Sequence, residues 1–236
     1  MKDVSRCYVG REIAAALVED GWTVVAHVHH EEDTVPEGAA KQSNDGQMPE
    51  SRPPIELQGV SLAQLQELIE QRRLPPVGKW NPERCGHSDM RIARDGTWYH
   101  QGAPIRRPAM VRLFSTVLRR EPDGRHVLVT PVEKLDIEVE STAFRAVDMR
   151  VEKRGREQCI AFALDTGDAV ILGPDHGLYI VETSNGPSPR LAVRHGLEAE
   201  LTRSVYYELA ELALETQHGR PGVWSSGTFF PLGAAE

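Results

Sequence analysis

Short alternating runs of apolar and polar residues, punctuated by turn residues, recur through most of residues 90–194 and leave the chain few folds to choose from. Met90-Arg91-Ile92-Ala93, Thr97-Trp98-Tyr99-His100 and Ala103-Pro104-Ile105 are separated by Asp95-Gly96 and Gly102, which predicts a hairpin or meander. His126-Val127-Leu128-Val129-Thr130 follows the turn Pro122-Asp123-Gly124. Ile137–Glu140, 146–152, 158–164, 169–172, 178–182 and 190–194 repeat the pattern. Strands this short bury one face only when a sheet bends or a helix covers it.

Helical spacing appears in three places. Ser61 is placed to cap a helix over 61–70, whose Leu62, Leu65, Leu68 and Ile69 form a stripe that ends before Pro75-Pro76. Residues 108–120 are amphipathic with Pro108 in the first turn. A last helix is expected over 198–216, with Leu201, Val205, Leu209 and Leu212 in register. The tail 219–236 carries Trp224, Phe229 and Phe230, too apolar to float, and is expected to pack back on a domain. The fold class expected is α+β: two tandem antiparallel β domains, each with a covering helix, the second a bent sheet or half-barrel.

Residues 1–54 read differently. A helix over 10–22 leads into a strand-like run, 23–28, and residues 31–54 are polar and rich in Pro and Gly, which predicts a linker unable to build a core. The domains expected are therefore 1–54, 55–134 and 135–236. The helix and strand resemble the opening of a short-chain dehydrogenase. The first strand and the other glycines of that motif are missing, and no Tyr-x-x-x-Lys follows, so no dinucleotide site and no cofactor are expected.

Composition narrows the function classes. A net charge of −8 argues against bulk nucleic-acid binding. No run approaches the roughly 18 apolar residues of a membrane span, and no secretory leader is apparent, so a cytoplasmic location is expected. Three cysteines at long spacing fit neither a disulfide framework nor a zinc motif, and no metal is expected.

Chemistry-bearing residues concentrate in two stretches. Trp80-Asn81-Pro82-Glu83-Arg84-Cys85-Gly86-His87-Ser88-Asp89-Met90-Arg91 packs an aromatic, a thiol and paired charges together, and Thr130-Pro131-Val132-Glu133-Lys134 puts a carboxylate and an ammonium at the joint between the two β regions. Domain joints are common ligand sites. Trp80, Cys85, Asp89, Arg91, Thr130, Glu133 and Lys134 are the ligand-binding residues expected. No catalytic set can be assembled from them. Alternatives are a thiol-dependent enzyme using Cys85 with His87, and an interaction module that docks a partner through the aromatic tail. The turn Gly173-Pro174-Asp175-His176 offers one further histidine.

These stretches, with Leu74-Pro75-Pro76, Asp95-Gly96-Thr97-Trp98, Val111-Arg112-Leu113-Phe114-Ser115, Gly173-Pro174-Asp175-His176 and Gly196-Leu197, resemble the bacterial family known as domain of unknown function 1285, over about residues 74–214. The resemblance implies a duplicated α+β core whose C-terminal domain is similar in outline to pleckstrin-homology folds. It also implies a cleft between the domains that binds a nucleotide-like ligand in signalling, and it transfers no catalytic residue.

Overall fold

The computed structural model describes residues 54–55, 57, 61–71, 74–153, 155–184, 186–213, 215–217 and 220–232. The dehydrogenase-like stretch and its linker lie outside them. The described residues belong to one compact unit, 53–236.

Two six-stranded sheets follow one another along the chain. The first holds β1 (Arg84–Ile92), β2 (Trp98–His100), β3 (Ala103–Pro104), β4 (Leu118–Arg120), β5 (His126–Val129) and β6 (Glu133–Val139) in the order β3-β2-β1-β6-β5-β4. The second holds β7 (Phe144–Glu152), β8 (Cys159–Leu164), β9 (Ala169–Ile171), β10 (Leu178–Thr183), β11 (Gly186–Arg194) and β12 (Leu197–Leu201), in the order β10-β11-β12-β7-β8-β9. Read from the other edge, the second order repeats the first. In each, two three-stranded antiparallel meanders join through one parallel pair, β1 with β6 and β12 with β7. The tandem α+β architecture is as expected; alternation does not distinguish the parallel junctions, because it reports which face is buried and not the direction of the neighbour. The expected division near residue 135 falls inside β6, and the chain leaves the first sheet only after Val139.

Three helices accompany the sheets. α1 (Leu62–Gln71) begins in a capping box, with the Ser61 hydroxyl accepting from the Gln64 amide and the Gln64 side chain accepting from the Ser61 amide. α2 (Pro108–Thr116) covers the first sheet and stacks Phe114 on Trp98, ring centroids 6.5 Å apart. α3 (Arg203–Glu211) lies against β7 and buries Val205 and Leu209.

Two expected helices are shorter than their apolar pattern. The helix over 108–120 stops at Thr116, because Leu118–Arg120 pairs with β5 and buries Leu118 in the sheet. The helix over 198–216 starts at Arg203, since Leu197, Ala199 and Leu201 alternate into the core as β12. Leu201 satisfies both periods, which is why the pattern ran on. The tail packs back as expected, forming a three-stranded sheet of β13 (Glu215–Gln217), β14 (Arg220–Ser225) and β15 (Thr228–Pro231).

Candidate ligand-binding site

The connection between β9 and β10 determines the shape of the second sheet. These strands form its two opposite edges, which in a flat sheet stand roughly 24 Å apart. Only residues 172–177 join them, and part of that length is spent on a turn in which Gly173 bridges His176. The sheet therefore curls into a half-barrel. In the first sheet the equivalent connection contains α2 and imposes no such closure.

Bonds at the β10 end of the sheet extend its pairing with β11, and one, from Arg194 to Asp168, reaches the opposite edge. The Ala192 amide donates to the Gly177 carbonyl at 2.8 Å. His176 Nδ1 lies 3.2 Å from the Ala192 carbonyl; a carbonyl only accepts, so Nδ1 carries the proton. Arg194, at the end of β11, donates from Nη1 to Asp168 beside β9 at 3.1 Å and from Nη2 to the Ser115 carbonyl of α2 at 3.1 Å. Its guanidinium also sits 4.9 Å from the centre of the Phe144 ring. Burial pulls Arg194 below the usual guanidinium range, with Asp168 acting against the shift. Its Nε is buried without a hydrogen-bond partner.

A cavity of about 620 Å³ opens at this gap. Gln66 and Ile69 of α1, Val170 and Ile171 of β9, the turn 173–176 and Arg194 line it. α1 reaches it by packing Leu65 with Ile55, Leu57, Ala161 and Ala169, so the helix that precedes the first sheet covers the second. Alternation placed these strands, but no periodicity joins α1 to β9 across about a hundred residues.

The residues expected to bind lie on the first sheet. Cys85 is exposed and stands opposite Lys134 on the parallel partner strand. Lys134 Nζ is 3.8 Å from Glu121, which binds Arg119 at 2.5 Å, and Arg119 in turn donates to the carbonyl of the buried Trp80 at 2.9 Å. This network adjoins the turn between β11 and β12: the Arg120 amide donates to the His195 carbonyl, and the His195 ring lies over Gly78. Burial first, then Arg194 and Arg119, push the His195 imidazole below its usual range. Trp80 and Lys134 thus stand at the seam between the sheets.

Glu133 is buried at the start of β6, with Arg84 3.6 Å away, and its amide donates to the Thr130 hydroxyl at 3.1 Å. Asp89, at φ 53°, lies within the irregularity between His87 and Arg91, and Arg91 resumes the ladder at the other end of β1. Ser88 fills the interrupted ladder by donating to the Asp136 carbonyl. Arg91 binds Glu140 and lies 4.4 Å from the centre of the Tyr99 ring. The structure therefore groups Trp80 with Lys134 and Thr130 with Glu133, and sets Asp89 and Arg91 apart. Asp89 lines a second, open hollow of about 460 Å³ with His87, His126 and Asp136. Among the described residues no cluster of His, Cys, Asp or Glu could hold a metal ion.

The family models of the N-terminal and C-terminal domains of DUF1285, described as a domain and a protein of unknown function, match residues 75–142 and 143–232. The chain belongs to the DUF1285 family. The two DUF1285 matches meet between β6 and β7, where the chain passes from one sheet to the other. A crystal structure of a DUF1285 family protein from Silicibacter pomeroyi DSS-3 is 46% identical and superimposes with a TM-score of 0.65, covering 72% of this chain and 93% of that one. A second DUF1285 family protein, from Shewanella baltica OS155, is 24% identical with a TM-score of 0.43, covering 52% and 90%. No protein of curated function matches the chain. Among the described residues no helix is long and apolar enough to cross a membrane. The run Gly173–His176, one of those that carry the DUF1285 resemblance, forms part of the cavity wall. Arg194 and Asp168 carried no sequence signal, because a charge at a strand end reads as solvated until the fold buries it.

Proposed function

We propose that this DUF1285 protein is a ligand-binding regulatory module whose small-molecule ligand occupies the cavity at the gap of the second sheet. The observation that carries this reading is the cavity itself: about 620 Å³, with Val170, Ile171 and the half-buried Arg194 among its lining. Binding sites are concave, mostly apolar and provided with a few placed polar groups, and barrel mouths are a favoured location. Arg194 also ties the cavity wall to α2 of the first sheet through Ser115, which supports a regulatory role.

A nucleotide-like ligand between the sheets is the second reading. The convergence of Arg119 and Lys134 beside Trp80 favours it, although both cations are already matched to Glu121. Thermal unfolding against a panel of apolar small molecules and nucleotides separates the two. A ligand at one hundred times its dissociation constant adds about 2.7 kcal/mol, a shift of several degrees in Tm. Stabilisation by an apolar compound that Gln66→Trp abolishes supports the cavity; stabilisation by a nucleotide that Lys134→Ala abolishes supports the seam. No shift with any compound would sink both.

A further inference from the structure

We infer that the ligand of the second-sheet cavity is a short extended peptide, apolar at alternate positions and flanked by lysine or arginine, that adds a strand to the open edge of β9. This deepens the cavity reading and rests on it.

The direction of the β9 backbone follows from its ladder. β9 is an edge strand that pairs only with β8. The Leu164 amide donates to the Asp168 carbonyl at 2.8 Å and the Leu172 amide to the Ile160 carbonyl at 2.9 Å. Asp168, Val170 and Leu172 therefore turn their backbone groups to β8, and the N–H and C=O of Ala169 and Ile171 point away from it. Among the described residues neither has a hydrogen bond on that outer side. The edge is closed at both ends: the Ile55 amide donates to the Gly167 carbonyl at 2.9 Å, and Gly173 is bridged to His176. Asp168, Ala169, Val170 and Ile171 all line the cavity, although successive side chains stand on opposite faces of a strand. A cavity that meets all four runs along the edge. Two outward residues with one between them match a three-residue strand segment, roughly 10 Å long.

The same geometry sets the side chains. Ala169 and Ile171 face α1, where Ile55, Leu65 and Ile69 pack with them. A residue paired with either turns its side chain to that apolar side, which asks for apolar residues at alternate positions. Charge sets the flanks. Arg194 is matched by Asp168, whereas Glu70 and Asp175 are exposed in the lining and among the described residues neither is paired with a cation. Strand addition takes its affinity from main-chain bonds and its selectivity from such alternate pockets.

Fluorescein-labelled acetyl-Lys-Val-Thr-Val-Lys-amide, followed by anisotropy on the full chain, tests the inference. N-methylation of both valines removes the N–H groups that face the β9 carbonyls and is expected to weaken binding about tenfold or more. N-methylation of the threonine, whose N–H points away from the edge, is expected to change it less than about threefold. Glutamate in place of both lysines is expected to weaken binding about tenfold, and Glu70→Gln with Asp175→Asn to erase that difference. No binding of the lysine peptide, equal effects of the two N-methyl patterns, equal binding of the glutamate peptide, or a preference untouched by the double variant overturns the peptide inference. Nile red, a neutral apolar dye, separates that failure from a failure of the site. Dye binding that Gln66→Trp blocks leaves the cavity reading standing. Dye that fails to bind, or binds regardless of Gln66→Trp, overturns the cavity reading and the peptide with it.

Discussion

Gly96 shows how a single residue in the Asp95-Gly96-Thr97-Trp98 run answers to the other sheet. The turn is local: the Thr97 amide donates to Asp95 Oδ1 at 2.9 Å, and Gly96 adopts φ +87°. Its need for glycine is also tertiary, since a Cβ there would stand 2.6 Å from Asp165 Oδ2 and 3.1 Å from Arg145 Cδ, and Arg145 itself donates to the Asp95 carbonyl. Gly96→Ala combines a left-handed backbone penalty with that clash and is expected to cost about 2–4 kcal/mol in urea unfolding. Burial raises Asp165 to about 6, against the bonds and charge of Arg145 that act to lower it. A carboxyl whose folded pKa is raised stays protonated longer in the folded state, so it lowers stability as pH rises from about 4 through 6. Asp165→Asn is expected to remove that decline and to be more stable at pH 8, by much less than the full shift implies because the exposed Asp165 carboxyl is screened by solvent. His195 and His126, whose imidazoles burial pushes down, act in the opposite direction: their contribution is lost as pH falls below the unfolded histidine range. Comparing wild type with Asp165→Asn across pH 4–8 isolates the aspartate, and parallel curves would refute the assignment.

At the scale of elements, α1 was legible as a helix because its cap and its stripe are local. Ser61→Ala breaks the reciprocal bonds with Gln64 and is expected to lower stability by about 1 kcal/mol. Leu65, buried against Ala161 and Ala169, is expected to cost about 2–5 kcal/mol as Leu65→Ala. Circular dichroism during denaturation measures both, and a Leu65→Ala cost below about 1 kcal/mol would mean that α1 does not seal the second sheet. Helix ends were harder to read. Val117 and Leu118 are both buried, one as a helix cap and the other in β4, and no local rule separates a last turn of helix from a first strand pair when both bury the same apolar residues.

At the scale of the molecule, the same strand order used twice yields two different objects. α2 bridges the edges of the first sheet from outside; six residues bridge those of the second and force it to curl. The two are then joined by bonds that cross between them: Arg194 to Ser115, Arg120 to Glu198, and Arg145 to Asp95. Because α1 precedes the first sheet in sequence and packs on the second, residues 143–232 alone lack the helix that covers Ala161 and Ala169. Unfolding of residues 53–236 is expected to be a single cooperative transition, coincident by tryptophan fluorescence and circular dichroism. Two separated transitions would show that the crossing bonds contribute little.

Sequence alone determined the α+β class, the positions of most strands, the cap of α1, the packing of the tail and the family, since each rests on local periodicity, turn chemistry or a contiguous motif. It also placed Cys85, Asp89, Arg91, Glu133 and Lys134 on two stretches that lie side by side as β1 and β6, with Trp80 and Thr130 just ahead of those strands. Only the tertiary structure decided that those strands run parallel, that α1 serves the second sheet, and that Arg194, Asp168 and His176 meet at one cavity. The reason is distance along the chain: contacts between residues 66, 168, 176 and 194 are set by how a curled sheet closes, and closure leaves no mark on the local pattern of any one strand.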